Sequence, residues 1–87
     1  MAYKILMVED DSSIAAGLSY ALEKEGYFVT LCRKISQAFE EIKTVHFDLA
    51  LLDMQLPDGL GKEIGQKLLA EQTQVIYLTV VDDEDEI

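Results

Sequence analysis

Asp48-Leu49-Ala50-Leu51-Leu52-Asp53-Met54-Gln55-Leu56-Pro57-Asp58-Gly59 is the stretch whose reading decides the fold. Four apolar residues run straight into the carboxylate of Asp53, and a Pro-Asp-Gly turn follows. An unbroken apolar run of this length, bounded by turn residues, reads as a strand buried on both faces. Such strands belong to parallel sheets, and Asp53 then stands at the strand's carboxyl end, where open α/β sheets place their ligands. A carboxylate in that position is costly unless a cation or hydrogen-bond donors accompany it.

Working outward, Tyr3 to Val8 reads as a first buried strand, followed by Glu9, Asp10, Asp11, Ser12 and Ser13. Asp11 or Ser12 is a good helix N-cap, and Ile14, Leu18, Ala21 and Leu22 form one helical face. Gly26 closes that helix as a C′ residue. Tyr27 to Leu31 is rich in β-branched and aromatic residues and reads as a second strand. Ser36 opens a short helix with Ala38, Phe39 and Ile42 inward and Glu40, Glu41 and Lys43 toward water. Phe47 to Leu52 is the third strand. Leu60 to Glu71 is helical, with Ile64, Leu68 and Leu69 at the right spacing. Gln74 to Thr79 is a fourth strand, after which Asp82, Asp83, Glu84, Asp85 and Glu86 suit the first turn of another helix. Strand and helix alternate throughout, which predicts right-handed βαβ units and a parallel sheet.

Composition narrows the function classes. The chain has 87 residues, enough for one small domain, and 49% apolar residues, enough for a core. Its net charge of −10, from 17 acids against 7 bases, argues against direct contact with nucleic acid or an anionic membrane. The single Cys32 excludes an internal disulfide and a cysteine-rich metal site, and fits a reducing cytosol. The strand-like run begins too close to Met1 for a signal peptide, and no apolar stretch approaches membrane-spanning length. A cytoplasmic domain is expected.

Three of the predicted strands end in chemically pointed residues: Glu9 and Asp10 after the first, Asp53 after the third, and Thr79 at the end of the fourth. A parallel sheet brings these ends to one edge. Three carboxylates crowded there repel one another unless protons or a cation intervene. Hard oxygen ligands completed by water describe a Mg²⁺ site. Asp53 beside such an ion is a candidate nucleophile for phosphoryl transfer, with the Thr79 hydroxyl in reach of a phosphoryl oxygen. Blander readings apply to the same residues. Acids before a helix cap it, an Asp after a strand often serves a turn, and Thr is a common strand residue. His46 fits the turn before the third strand, and Cys32 fits a small buried hydrophobe.

Val8-Glu9-Asp10-Asp11, Leu51-Leu52-Asp53-Met54-Gln55-Leu56-Pro57-Asp58-Gly59 and Ile76-Tyr77-Leu78-Thr79 together resemble the receiver domain of two-component response regulators. The resemblance runs the length of the chain in the right order, and its middle motif is the most specific. It implies a flavodoxin-like (receiver-type) doubly wound α/β fold with a parallel sheet ordered 2-1-3-4. It also implies that Asp53 is the phosphoacceptor, that Glu9, Asp10, Asp53 and the backbone carbonyl of Gln55 hold Mg²⁺, and that Thr79 is the switch hydroxyl. The implied partners are a sensor histidine kinase and an output domain, DNA-binding by expectation, elsewhere in a full-length chain.

The family continues through a fourth helix, a fifth strand bearing a lysine, and a fifth helix. Residues 1–87 are therefore expected to be a truncated N-terminal receiver domain, with no lysine after the fourth strand. Val80 stands where the family usually has a small residue. An unpaired fourth-strand edge predicts self-association, through that edge or by exchange of an element. Two other classes remain open. One is a receiver-like binding or structural module that does not switch. The other is a Mg²⁺-dependent phosphatase-type enzyme with an aspartyl nucleophile, whose Asp-x-Asp motif is interrupted here by Gln55.

Overall fold

The computed structural model describes residues 3–78. In chain order the elements are β1 (Lys4–Val8), α1 (Ser12–Lys24), β2 (Phe28–Cys32), α2 (Ile35–Ile42), β3 (Leu49–Asp53), β4 (Gln55–Leu56), β5 (Gly59–Leu60), α3 (Gly61–Ala70) and β6 (Gln74–Leu78). The main sheet is entirely parallel and ordered β2-β1-β3-β6. The expected order 2-1-3-4 is therefore realised, β6 being the predicted fourth strand. The Pro-Asp-Gly turn is realised as the tip of a small antiparallel ladder, with Gln55 opposite Leu60 and Leu56 opposite Gly59.

Alternation along the strands sorts the core into two layers. Leu6, Val8, Ala50 and Leu52 point toward α2 and α3, where Ala38, Ile42, Ile64 and Leu68 meet them. Ile5, Met7 and Leu51 point the other way, toward α1 and Ala15. Leu6, Met7, Val8, Ala50 and Leu52 have no exposed surface, as an apolar run in a doubly covered strand requires.

The helix boundaries follow from local chemistry. Asp11 caps α1, its Oδ1 accepting from the Ser13 and Ile14 amides at 2.9 and 3.1 Å. At the other end the Gly26 amide donates to the Glu23 carbonyl and the Tyr27 amide to the Leu22 carbonyl, with Gly26 at φ 95°. This is a Schellman closure, whose left-handed position favours glycine. α3 ends the same way, its left-handed position filled by Gln72 at φ 66°.

Two helical faces depart from the periodicity reading. α1 turns Ala15, Leu18, Ser19 and Leu22 inward, while Ile14 is 37% exposed and Ala21 faces water. On α3 the inward residues are Ile64, Gly65 and Leu68, and Leu69 is 56% exposed. In both cases apolar residues flank the true stripe, and the sheet selects the side.

Candidate acidic site at the carboxyl edge of the sheet

β1 and β3 are neighbours, yet their outgoing connections lead to helices on opposite faces, which makes their carboxyl ends the switch point at which open α/β sheets form a ligand crevice. Glu9 leaves β1 at that crevice and Asp53 ends β3 there. Glu9 is 5% exposed, and its Oε1 accepts from the Asp11 amide at 2.9 Å. Burial pushes the Glu9 carboxyl above its ordinary value; the Asp11 amide opposes this, and the neighbouring Asp53 carboxylate adds to the rise. Asp53 is half-buried, and its Oδ1 accepts from the Gln55 amide at 3.3 Å. The expected meeting of acids from the first and third strands is thus present as a facing pair.

The expected three-carboxylate crowd is not. Among the described residues no group of three acidic or imidazole side chains is close enough to hold a metal ion. Asp10 is exposed, because successive residues leaving an extended strand project to opposite sides and Glu9 takes the inward one. Thr79, Val80 and the acids at 82–86 lie outside the described residues. His46 is exposed in the connection before β3, and Cys32 is buried at the end of β2, where burial pushes its thiol up to about 11.

Three residues around the site escaped sequence reasoning. Arg33 donates through Nη2 to the Asp10 carbonyl at 3.2 Å and to Ser12 Oγ at 3.0 Å, gripping the acidic loop. With Glu9, Ser12 and Leu31 it also lines an open cavity of about 200 Å³ beside α1. Asp58 reaches away from the turn, accepting from the Ile35 and Ser36 amides at 2.8 and 3.0 Å. Those two bonds hold its carboxyl below the usual range. Gly61 opens α3 so close to β3 that a Cβ there would fall on the Asp53 carbonyl oxygen. Its amide also donates to the Met54 carbonyl at 2.8 Å. A glycine at the first residue of a helix after a strand is the one signal that marked this approach in advance.

A glutamate and an aspartate facing each other with hard oxygens are a donor set that a small divalent cation fits, since a cation would offset the burial of Glu9 and, after it, the repulsion from Asp53. The half-buried Asp53 presents a carboxylate oxygen that can attack an electrophilic phosphorus.

Residues 5–87 match the family model described as the response regulator receiver domain. The chain is 35% identical over 86 residues to the alkaline phosphatase synthesis transcriptional regulatory protein PhoP of Bacillus subtilis, covering 97% of this chain and 36% of that protein. A CheY-like response regulator receiver domain protein from Methanospirillum hungatei superposes with a TM-score of 0.85 at 31% identity, over 99% of this chain and 71% of that one. The MaeR response regulator bound to beryllium trifluoride superposes with a TM-score of 0.79 at 29% identity, over 98% of this chain and 72% of that one. The chain spans little more than a third of the length of the curated relatives it matches, 38% in one and 35% in another.

Proposed function

Because this chain belongs to the response regulator receiver domain family, we propose that it is the phosphoacceptor module of a longer two-component regulator, with Asp53 as the acceptor. What supports this reading is the facing of Glu9 and Asp53 at the switch point between β1 and β3, where the fold places its ligand. An Asp53 carboxylate oxygen attacks the phosphorus of a sensor kinase's phosphohistidine. The O–P bond forms as the N–P bond breaks, and the nitrogen keeps the electron pair. The product is an acyl phosphate on Asp53.

Mg²⁺ is the cofactor proposed: Glu9, Asp53 and the Gln55 carbonyl would hold it, joined by Asp10 once that exposed side chain swings toward them, and it would neutralise charge on the incoming phosphoryl group. The chain's own residues do the rest. The Gln55 amide orients the Asp53 carboxylate, Gly61 lets α3 start against the Asp53 backbone, and burial of Glu9 holds an acid where a cation is needed. Thr79 is proposed as the hydroxyl that turns toward the phosphoryl group and passes the change to an output domain. The chain accepts a group and is not itself an enzyme beyond that self-phosphorylation. Regulators named for transcription among its relatives favour a DNA-binding output, while net charge −10 keeps residues 1–87 themselves off nucleic acid. Among the described residues no helix is long and apolar enough to cross a membrane, and the proposed setting is the cytoplasm.

Intact mass after treatment with acetyl phosphate and Mg²⁺ tests the reading. The expected result is a single phosphoryl adduct, absent from Asp53→Ala and from an EDTA control. No adduct on folded protein would overturn it and leave a receiver-like scaffold. Among the described residues β6 pairs only with β3 and Ile76 is 51% exposed, so self-association along β6 is also proposed. A monodisperse monomer in sedimentation at micromolar concentration would contradict that.

A further inference from the structure

The connection from β2 into α2 touches both loops that carry the acidic groups. On one side the Arg33 guanidinium bonds the Asp10 carbonyl and Ser12 Oγ, 23 and 21 residues earlier in the chain. On the other side the Ile35 and Ser36 amides are bonded by Asp58, 23 and 22 residues later. The same connection is braced internally, the Arg33 amide donating to Gln37 Oε1 at 2.7 Å. The Glu9 amide adds a further tie, donating to the Cys32 carbonyl at 3.0 Å.

Local sequence does not explain these bonds. The residue at the N-cap position of α2 is Lys34, which supplies no side-chain acceptor, and the helix's first turn holds no acid. Its free amides are satisfied from a distance by Asp58, whose negative charge also suits the positive end of the helix. Gly59 makes the reach feasible. It sits at φ +152°, and a Cβ there would come within 3.0 Å of Ile35 Cδ1 and of Glu63 Oε1. A side chain at 59 would be strained at that φ and would press on the ends of the Ile35 and Glu63 side chains.

We infer that residues 33–36 form a strut that sets the acidic loop after β1 against the loop after β3, with Arg33 and Asp58 as its two positioning residues. Neither side chain needs to touch the phosphoryl group. The strut fixes how far Glu9 and Asp10 stand from Asp53, and so how well the pair can hold a cation. The inference rests on the phosphoacceptor reading only for the use made of that spacing.

Backbone amide spectra of the full 87-residue chain test it, first without metal and then through a Mg²⁺ titration. In the metal-free protein, Asp58→Ala is expected to move the Asp10 and Ser12 amide resonances, although Asp58 touches neither. Arg33→Ala is expected to move those of Asp58 and Gly59 reciprocally. Each variant is expected to weaken Mg²⁺ binding on the order of tenfold, as loss of a group supporting metal ligands does. Asp58→Asn, which keeps an acceptor oxygen, restores most of the affinity. The double variant loses less than the product of the two single losses, since both break one element. The strut is overturned if Asp58→Ala only lowers the melting temperature and leaves the Asp10 and Ser12 resonances and the Mg²⁺ affinity at parental values. It is equally overturned if the two losses simply multiply. If Asp58→Ala does not fold, the surface variant Arg33→Ala, read at Asp58 and Gly59, decides alone. Failure to form an adduct on Asp53 would sink the phosphoacceptor reading and leave the metal-free spectra to judge the strut.

Discussion

Among the described residues, the face of the main sheet under α2 and α3 gathers twelve buried apolar residues, among them Leu6, Val8, Leu52, Ile64 and Leu68. The face under α1 gathers four, Ile5, Met7, Ala15 and Leu51. Among the described residues two helices cover the first face and one covers the second, and α1 meets the sheet with Ala15 and Ser19 as well as its leucines. Free energy of burial scales with the apolar area removed from water, at roughly 25 cal/mol per Å². Stability is therefore concentrated on the side where the loop after β3 is clamped to α2. The acidic loop after β1 leads instead into the more lightly anchored helix. The two carboxylates thus stand on supports of unequal stiffness, Asp53 on the firmer one.

Truncation of core leucines puts that contrast at greatest risk. Leu52→Ala, in the closed layer, is expected to lose about 3 kcal/mol, within the usual range for a fully buried leucine. Leu18→Ala on α1 is expected to lose roughly half as much, because Leu18 already keeps part of its surface in water. Urea midpoints compare the two, and equal losses would break the contrast.

A pair of helical glycines sharpens it. A Cβ at Gly65 would fall on the Tyr77 hydroxyl and within 3.3 Å of Leu52 Cδ1, so Gly65→Ala is expected to destabilise by about 1–2 kcal/mol despite better helix propensity. A Cβ at Gly17 meets nothing within 4 Å, so Gly17→Ala is expected to stabilise by about 0.5–1 kcal/mol. Thermal unfolding of both variants reads the signs, and like signs would mean equally filled faces.

The smallest effect is expected from acid. The two α2 amides hold Asp58 below the usual carboxylate value, so its contribution is complete above about pH 4 and is lost as pH falls through the lower folded value. The gap in denaturant midpoint between the parent and Asp58→Asn is therefore expected to narrow from pH 6 to pH 3. A gap that holds constant would mean that the clamp does not depend on the charge of Asp58.

Strand identity was legible because the apolar runs ending at Val8 and Asp53 are unbroken and bounded, whereas the order 2-1-3-4 came from the resemblance to receiver domains and not from the runs themselves. The facing of Glu9 and Asp53 was legible because both follow strands that end at one edge. Helix phase was less so. In α1, Ile14, Ala15, Leu18, Ala21 and Leu22 form a stripe broad enough to be centred on either side, and only the sheet removes Ile14 and Ala21 from it. Side-chain direction at Asp10 depended on which residue of the pair turned inward. The roles of Asp58 and Arg33 were hidden because each joins groups more than twenty residues apart, a separation that no local pattern reports. Asp58 carried a plausible local explanation as a turn residue, and that masked its reach.

Cys32 has a practical consequence. It is the only thiol in the chain, it is 4% exposed, and its backbone carbonyl holds the Glu9 amide at the mouth of the acidic crevice. At neutral pH almost none of it is thiolate, and reagent reaches it only when the end of β2 parts from its neighbours. The rate at which a small disulfide reagent consumes that thiol is therefore a clock for opening of the β1–β2 margin. It is a stopwatch supplied by the native chain, readable with and without acetyl phosphate, and it needs no introduced label.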